Sequence, residues 1–264
     1  MDLPERCRAD DDLLKLIQCM KQLTGRIDIS GHRAGTGFIQ RIRFVHGKCP
    51  CSVDCRDSRY KYAILTVSTV VHIFDDKPDR KDLLHEFVRK PETAQIILDY
   101  ERDDDDLSCL PTLYGHRLLE TDKDLGIDSD WCCLEFVSHE LRLVEELNTS
   151  LTSYQELQGK VYQKYKGESV NLVVLVGHPG RRPKQISIGK TIRKYKILKE
   201  IRDGQKWGRY YYDAPTEKGS SGSPVFVLGQ PISGFAYWFG HPHNHSAKKT
   251  EKINYSSIGV EYVV

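Results

Sequence analysis

Leu65-Thr66-Val67-Ser68-Thr69-Val70-Val71-His72 is an apolar, β-branched run that ends on a histidine. Branched side chains pack well on a pleated surface, so the run reads as a buried strand that delivers an imidazole at its exit. Two other stretches answer it. Asp128-Ser129-Asp130-Trp131-Cys132-Cys133-Leu134 sets an acid at the mouth of a second strand, and Gly219-Ser220-Ser221-Gly222-Ser223-Pro224 runs into the apolar strand Val225-Phe226-Val227. Taken singly, each has a plainer reading: a strand-end histidine is usually structural, an aspartate before a strand usually shapes a turn, and a Gly/Ser-rich stretch is usually a loop. Their chain order, His72, Asp130, Ser221, changes the weighing. A serine hydroxyl is a poor nucleophile near neutral pH. It needs a base within hydrogen-bond reach and N–H donors aimed at the oxyanion that forms as it attacks. The small residues around Ser221 let the backbone turn sharply enough for the N–H groups of Gly219 and Ser221 to converge.

Outward from these stretches the pattern is β. Arg26 to Ser30, Gly37 to Val45, Tyr62 to Val71, Gln95 to Tyr100 and Trp131 to Val137 are short runs broken by Gly, Pro and Asp. A second set comprises Asn171 to Val176, Gln185 to Ile188, Lys194 to Ile201, Tyr210 to Tyr212, Pro224 to Leu228, Ile232 to Trp238 and Ile258 to Val263. Before the first set, Leu13, Leu16, Ile17, Met20 and Leu23 fall on one face of a short helix behind an acidic start. Between the sets, Ser138 to Leu147 reads as helix and leads into a polar segment, partly helical, that reaches about Tyr165. The expected division is an N-terminal helix over 1–24, a first β unit over 25–140 with His72 and Asp130, a helical linker over 141–166 and a second β unit over 167–264 with Ser221. Such a chain is a double barrel or a double sandwich.

Composition narrows the partners. Among 264 residues, 39 Lys plus Arg nearly balance 37 Asp plus Glu, and 39% are hydrophobic, so electrostatics select neither nucleic acid nor a membrane surface. No window approaches the ~18 apolar residues of a membrane span, and the polar start lacks a signal-peptide core. The expectation is an intracellular protein, cytoplasmic or nuclear, whose eight cysteines are reduced thiols.

The three stretches resemble the catalytic motifs of chymotrypsin-like serine peptidases. Thr69-Val70-Val71-His72 is similar to their histidine motif, Asp130-Trp131-Cys132-Cys133-Leu134 to their aspartate motif, and Gly219 to Pro224 to their serine motif. Gly35-Thr36-Gly37-Phe38-Ile39 looks like their first-barrel strand. Val176-Gly177-His178-Pro179-Gly180 resembles a turn of the bacterial glutamyl endopeptidases, and Ile232 to Trp238 looks like the strand that walls the specificity pocket. The likeness covers about residues 25 to 240. It implies an all-β fold of two antiparallel six-stranded barrels with a short N-terminal helix and a helical connection. It also implies a Ser221–His72–Asp130 triad, an oxyanion hole from Gly219 and Ser221, a protein or peptide substrate, and no cofactor.

The chain departs from that family in ways that bear on control and specificity. Secreted trypsins carry an aspartate before the nucleophile that pairs with a newly cut N-terminus; here the residue is Ser220, so trypsin-type zymogen cleavage is not expected. That leaves room for a regulatory protein partner. Pro215 stands where trypsin-like enzymes carry the acid that reads Lys or Arg, and Ala236 where glutamyl endopeptidases carry a histidine. With Thr216, Tyr237, Trp238 and Phe239, these residues are the expected substrate contacts, favouring an apolar or aromatic side chain before the scissile bond. The rival to a peptidase is a catalytically silent protease-fold module that binds peptides or protein partners through the same cleft.

Other clusters have simpler explanations. His46, Cys49, Cys51 and Cys55 could close a tetrahedral zinc site, but the spacing is not one of the stronger zinc patterns and reduced thiols suffice. His241, His243 and His245 read as a surface loop, and Asp103 to Asp106 as a solvated turn. Eight Lys or Arg residues lie between Arg181 and Lys199, yet interleaved Ile and Tyr mark an exposed β ribbon rather than a nucleic-acid surface.

Overall fold

The computed structural model describes residues 3–29, 33–50, 61–74, 88, 90–121, 130–165, 168, 170–192, 196–200, 205–228, 235–237, 244–246, 254–256 and 259–263. Asp10 begins the architecture. Its carboxylate accepts the N–H groups of Asp12 and Leu13 at 3.1 and 3.2 Å, capping helix α2 (Asp11–Leu23), which follows the single turn α1 (Glu5–Arg8). The expected stripe Leu13, Leu16, Ile17, Met20, Leu23 is the buried face. Asp10 also accepts from Tyr165 Oη at 2.6 Å and Lys164 Nζ at 2.8 Å, at the far end of helix α3 (Leu141–Tyr165). Burial alone would raise the Asp10 pKa, but the Lys164 ammonium, the Tyr165 hydroxyl and the Leu13 N–H together hold it below the ordinary value.

Helix α3 runs unbroken where only its first part was expected to be firmly helical. Its buried stripe, Val144, Leu147, Leu151, Tyr154, Leu157, Val161 and Tyr165, keeps helical spacing through the polar half. The hydroxyls of Thr149, Ser150 and Thr152, poor helix formers on propensity, bond back to carbonyls four residues earlier. Tyr154 meets Phe38 edge-on with ring centroids 5.3 Å apart, seating the helix on the first barrel.

That barrel closes. Strands β1 (Thr24–Ile29), β2 (Arg33–His46), β3 (Lys61–Val70), β4 (Ala94–Ile97), β5 (Thr112–Thr121) and β6 (Trp131–Ser138) run antiparallel in the order β1-β2-β3-β6-β5-β4, and β1 pairs with both β2 and β4. Sequence reading missed β5. Its outward Arg117 and Glu120, its Gly115 and two register shifts against β6 break the strict alternation that marks a half-buried strand.

In the second half, the described residues form three sheets. One is β12 (Val225–Leu228), β7 (Leu172–Gly177) and β8 (Gln185–Gly189); another is β11 (Tyr211–Tyr212), β15 (Asn254–Ser256) and β14 (His245–Ser246); the third is β13 (Phe235–Tyr237), β16 (Gly259–Val263), β10 (Gln205–Arg209) and β9 (Lys196–Glu200). Bridges Thr191↔Tyr212 and Pro224↔Asn244 join the first sheet's surroundings to the second. Strand β7 is apolar on both faces. Val174 and Val176 join the core that includes α2, α3 and the first barrel, while Val173 and Leu175 pack with Tyr210, Tyr212 and Val225. Among the described residues no helix is long and apolar enough to cross a membrane.

Candidate active site

Strand pairing brings His72 and Asp130 together. Val70 opposes Trp131 across β3 and β6, so the residue before Trp131 and the turn after Val70 leave the barrel side by side. The Val71 N–H donates to the Asp130 carbonyl at 3.1 Å. Asp130 sits at φ 66°, a left-handed conformation that a short acidic side chain tolerates better than most. It turns the carboxylate back onto the histidine: Oδ1 accepts the His72 backbone N–H at 2.9 Å, and Oδ2 lies 2.5 Å from His72 Nδ1. On the other side of the ring, His72 Nε2 lies 2.7 Å from Ser221 Oγ.

The loop that holds Ser221 is built against the first barrel. Thr36 donates its hydroxyl to the Gly219 carbonyl at 2.9 Å and its N–H to the Ser221 carbonyl at 2.7 Å, while Thr69 donates to the Thr36 carbonyl at 2.8 Å. Gly222 has to be glycine here: at φ 91°, a Cβ would stand 2.0 Å from the Thr36 carbonyl oxygen. Two peptide planes in the loop are also oriented. The Lys218 carbonyl accepts from Gly180 N–H at 2.7 Å and the Ser220 carbonyl from Ser223 N–H at 3.0 Å. In a trans peptide the N–H points opposite to the C=O, so the Gly219 and Ser221 N–H groups turn the other way. Neither donates to a protein acceptor among the described residues. Ser220 accepts the Glu217 N–H through its hydroxyl at 3.3 Å.

Ser246 and His245 belong to the site, and sequence reading missed both. Ser246 donates its hydroxyl to Asp130 Oδ2 at 2.6 Å. Its neighbour His245, expected in a surface loop, is instead 2% exposed, because β14 is hydrogen-bonded to the two residues that follow Ser221. Gly222 N–H donates to the His245 carbonyl at 2.8 Å and His245 N–H to the Ser223 carbonyl at 2.7 Å. Burial first, and the charge on His72 beside it, push the His245 imidazole down to about 3, against the raising charge of Asp130. The neutral ring has a definable tautomer. Tyr212 donates its one hydroxyl proton to the Tyr255 carbonyl at 3.1 Å, so the 2.7 Å contact from His245 Nδ1 to Tyr212 Oη carries the ring's proton. The only sequence signal was Asn244-His245-Ser246 itself, too short a run to mark a strand.

Several solved structures, described as proteases, are similar to this chain at low identity. The Rv3671c protease of M. tuberculosis, in its inactive form, is 14% identical with a TM-score of 0.45, covering 94% of this chain and 90% of that one. Deg5 is 13% identical at 0.46, covering 97% and 91%, and a serine endoprotease from Yersinia pestis is 11% identical at 0.45, covering 92% and 61%. No family model matches the chain, and no curated protein matches it. At so distant a likeness, what the site can do follows from its own geometry.

The expected substrate contacts fall in different places. Pro215 and Thr216 line a cavity of about 740 Å³ with Glu217, Lys184, Ser220 and Ser223, which adjoins the Ser221 loop but includes neither Ser221 nor His72. Ala236 and Tyr237 lie on β13, paired with Tyr262 and Glu261, in a sheet separate from the one that carries Ser246. Trp238, Phe239, Cys51, Cys55, His241 and His243 lie outside the described residues. Facing the cavity, Lys184 is 7% exposed and donates to the Lys21 carbonyl at 2.8 Å; burial pulls its ammonium down to about 8, against the raising charges of Asp99 and Glu101. Among the described residues no group of three or more His, Cys, Asp or Glu side chains is placed to hold a metal ion.

Proposed function

We propose that the chain is a serine endopeptidase of chymotrypsin-like, two-barrel design that cleaves peptide bonds through an acyl-enzyme intermediate. The observation that carries this reading is the hydrogen-bonded series Ser221 Oγ, His72 Nε2, His72 Nδ1, Asp130 Oδ2, with gaps of 2.7 and 2.5 Å. A hydroxyl, an imidazole and a carboxylate so joined can activate an otherwise weak nucleophile.

In this reading Ser221 Oγ attacks the scissile carbonyl carbon as His72 Nε2 takes its proton. The carbonyl electrons move onto oxygen, where the Gly219 and Ser221 N–H groups donate hydrogen bonds to the negative charge. Asp130 keeps the proton on Nδ1 in the resting ring and stabilises the imidazolium as it forms. Collapse of the intermediate breaks the C–N bond, and His72 hands its proton to the leaving amine. A water then repeats the sequence on the acyl-enzyme, with His72 again as base. The hydrogen bonds from Thr36, Gly180 and Ser223 support an oxyanion loop that needs no ion pair with a cleaved N-terminus.

A fluorophosphonate probe tests the proposal. Covalent labelling of the folded chain, lost in Ser221→Ala and His72→Ala, is the expected result. Absence of labelling in a folded, unaltered chain would overturn it in favour of a silent peptide-binding module.

A further inference from the structure

The cavity of about 740 Å³ beside the Ser221 loop is lined by polar groups that the chain itself leaves without partners. One wall is the face of β7 and β8 on which Leu175 and Ser187 stand opposite each other, and another is the segment Pro215 to Ser220. The Ser187 hydroxyl donates to the Pro215 carbonyl and ties the two walls together. Lys184 enters at one end. It precedes Gln185, which pairs with Gly177, and Ser223 packs so closely on the same glycine that a Cβ there would run into its hydroxyl. Both side chains are therefore gathered at the Gly177 end of the cavity.

Each lacks what burial demands. Ser223 is 1% exposed, and its hydroxyl has no hydrogen-bond partner among the described residues. The buried Lys184 ammonium donates to the Lys21 carbonyl at 2.8 Å, but among the described residues no carboxylate stands within ion-pair distance of it. Asp99 and Glu101 act on it from farther off, and Glu101 is itself paired with Lys21 at 2.6 Å. Glu217, the carboxylate in the cavity lining, is paired with Arg182 at 2.9 Å. A buried ammonium without a counter-ion and a buried hydroxyl without a partner both cost free energy, and one acidic group bound at the Gly177 end satisfies the two together.

We propose that this cavity binds a small organic carboxylate, with its head on Lys184 and Ser223 and a short apolar body along Leu175 and Pro215, and that the bound acid steadies the Ser221 loop. The volume lies within the ~300–1,000 Å³ of small-molecule sites. One ammonium balances one negative charge, whereas a phosphate dianion would bring excess charge toward Glu217. The link to the nucleophile runs through Ser220, which lines the same cavity between Gly219 and Ser221. Its hydroxyl makes a single long bond, to the Glu217 N–H at 3.3 Å, and its carbonyl accepts the Ser223 N–H at 3.0 Å. An acid that binds this arrangement of the loop favours it over others, and so raises the reactivity of Ser221. That last step rests on the peptidase reading; the binding step does not.

Calorimetric titration of the full chain with hexanoate, 4-methylpentanoate and 3-phenylpropanoate, beside hexanamide and hexylamine, tests the site. Saturable one-to-one binding of at least one acid is expected, with the amide and the amine weaker by about tenfold or more. Lys184→Met keeps the side chain's length and gives up its charge; it should weaken the acid by about tenfold or more, and Ser223→Ala by roughly threefold to tenfold. Two variants and the uncharged probes keep the test open if one variant fails to fold. No saturable binding of any of the three acids, unchanged affinity in both variants, or hexylamine bound as tightly as the acids would each overturn the site. Fluorophosphonate labelling should quicken about threefold or more at saturating acid, and an unchanged rate with the acid bound would overturn the coupling. A chain that binds the acid in this charge-dependent way yet never labels sinks the peptidase reading and leaves the carboxylate site standing.

Discussion

Thr36 and Gly219 belong to opposite halves of the chain, yet the Thr36 hydroxyl donates to the Gly219 carbonyl at 2.9 Å and also accepts the His178 N–H at 3.2 Å. One first-barrel side chain therefore holds two stretches of the second half, the Ser221 loop and the turn at His178. Thr36→Val keeps the volume and removes the hydroxyl. It should lower kcat roughly tenfold to a hundredfold with little change in KM, because ground-state contacts survive while oxyanion donors lose their aim. Thr36→Ser should restore most of the rate. Steady-state kinetics on a peptide substrate, beside circular dichroism to confirm the fold, read the difference.

The Asp130 carboxylate accepts hydrogen bonds from the His72 backbone, from the His72 ring and from Ser246. Asp130→Asn offers an amide where the ring needs an acceptor, and favours the wrong tautomer. A fall in kcat of about 10⁴ is expected, with fluorophosphonate labelling slowed in parallel. Ser246→Ala removes only one donor to the carboxylate and should cost about tenfold. Equal losses in the two variants would contradict this ranking.

Asp10 ties the cap of α2 to the last turn of α3, and its folded pKa lies below the ordinary value. A lowered carboxylate adds stability that is complete above the unfolded pKa, near ~4, and fades as pH falls through the folded value. Asp10→Asn should therefore lose about 1–3 kcal/mol at pH 7, and the gap from the parent should narrow toward pH 3. Urea unfolding at the two pH values measures both.

Lys184 predicts a slope of the same sign in a more alkaline window. Its ammonium is buried, with a folded value of about 8 set first by that burial. The unfolded lysine titrates near ~10.4, so the unfolded chain binds more protons between these values and stability rises with pH there. Lys184→Met should flatten that rise and add on the order of 1–3 kcal/mol at pH 7. Denaturant titrations between pH 7 and 10 would show it.

Legibility followed the kind of burial each segment experiences. Strands β3 and β6 are apolar along nearly their whole length, so their existence could be read directly, and with them the positions of His72 and Asp130. Strand β5 could not, since bulges break its alternation. The C-terminal half of α3 was masked by Thr and Ser, whose backbone bonds only the folded helix displays. Ser246 and His245 were hidden for another reason: a two-residue strand has no period, and its importance arises wholly from what lies across from it.

Strand β7 contributes Val174 and Val176 to one apolar core and Val173 and Leu175 to the other. A strand shared in this way couples the melting of both halves: neither can loosen without stripping one side of the same six residues. The chain should consequently unfold in a single calorimetric step, and a truncation that keeps only one half should not hold its shape.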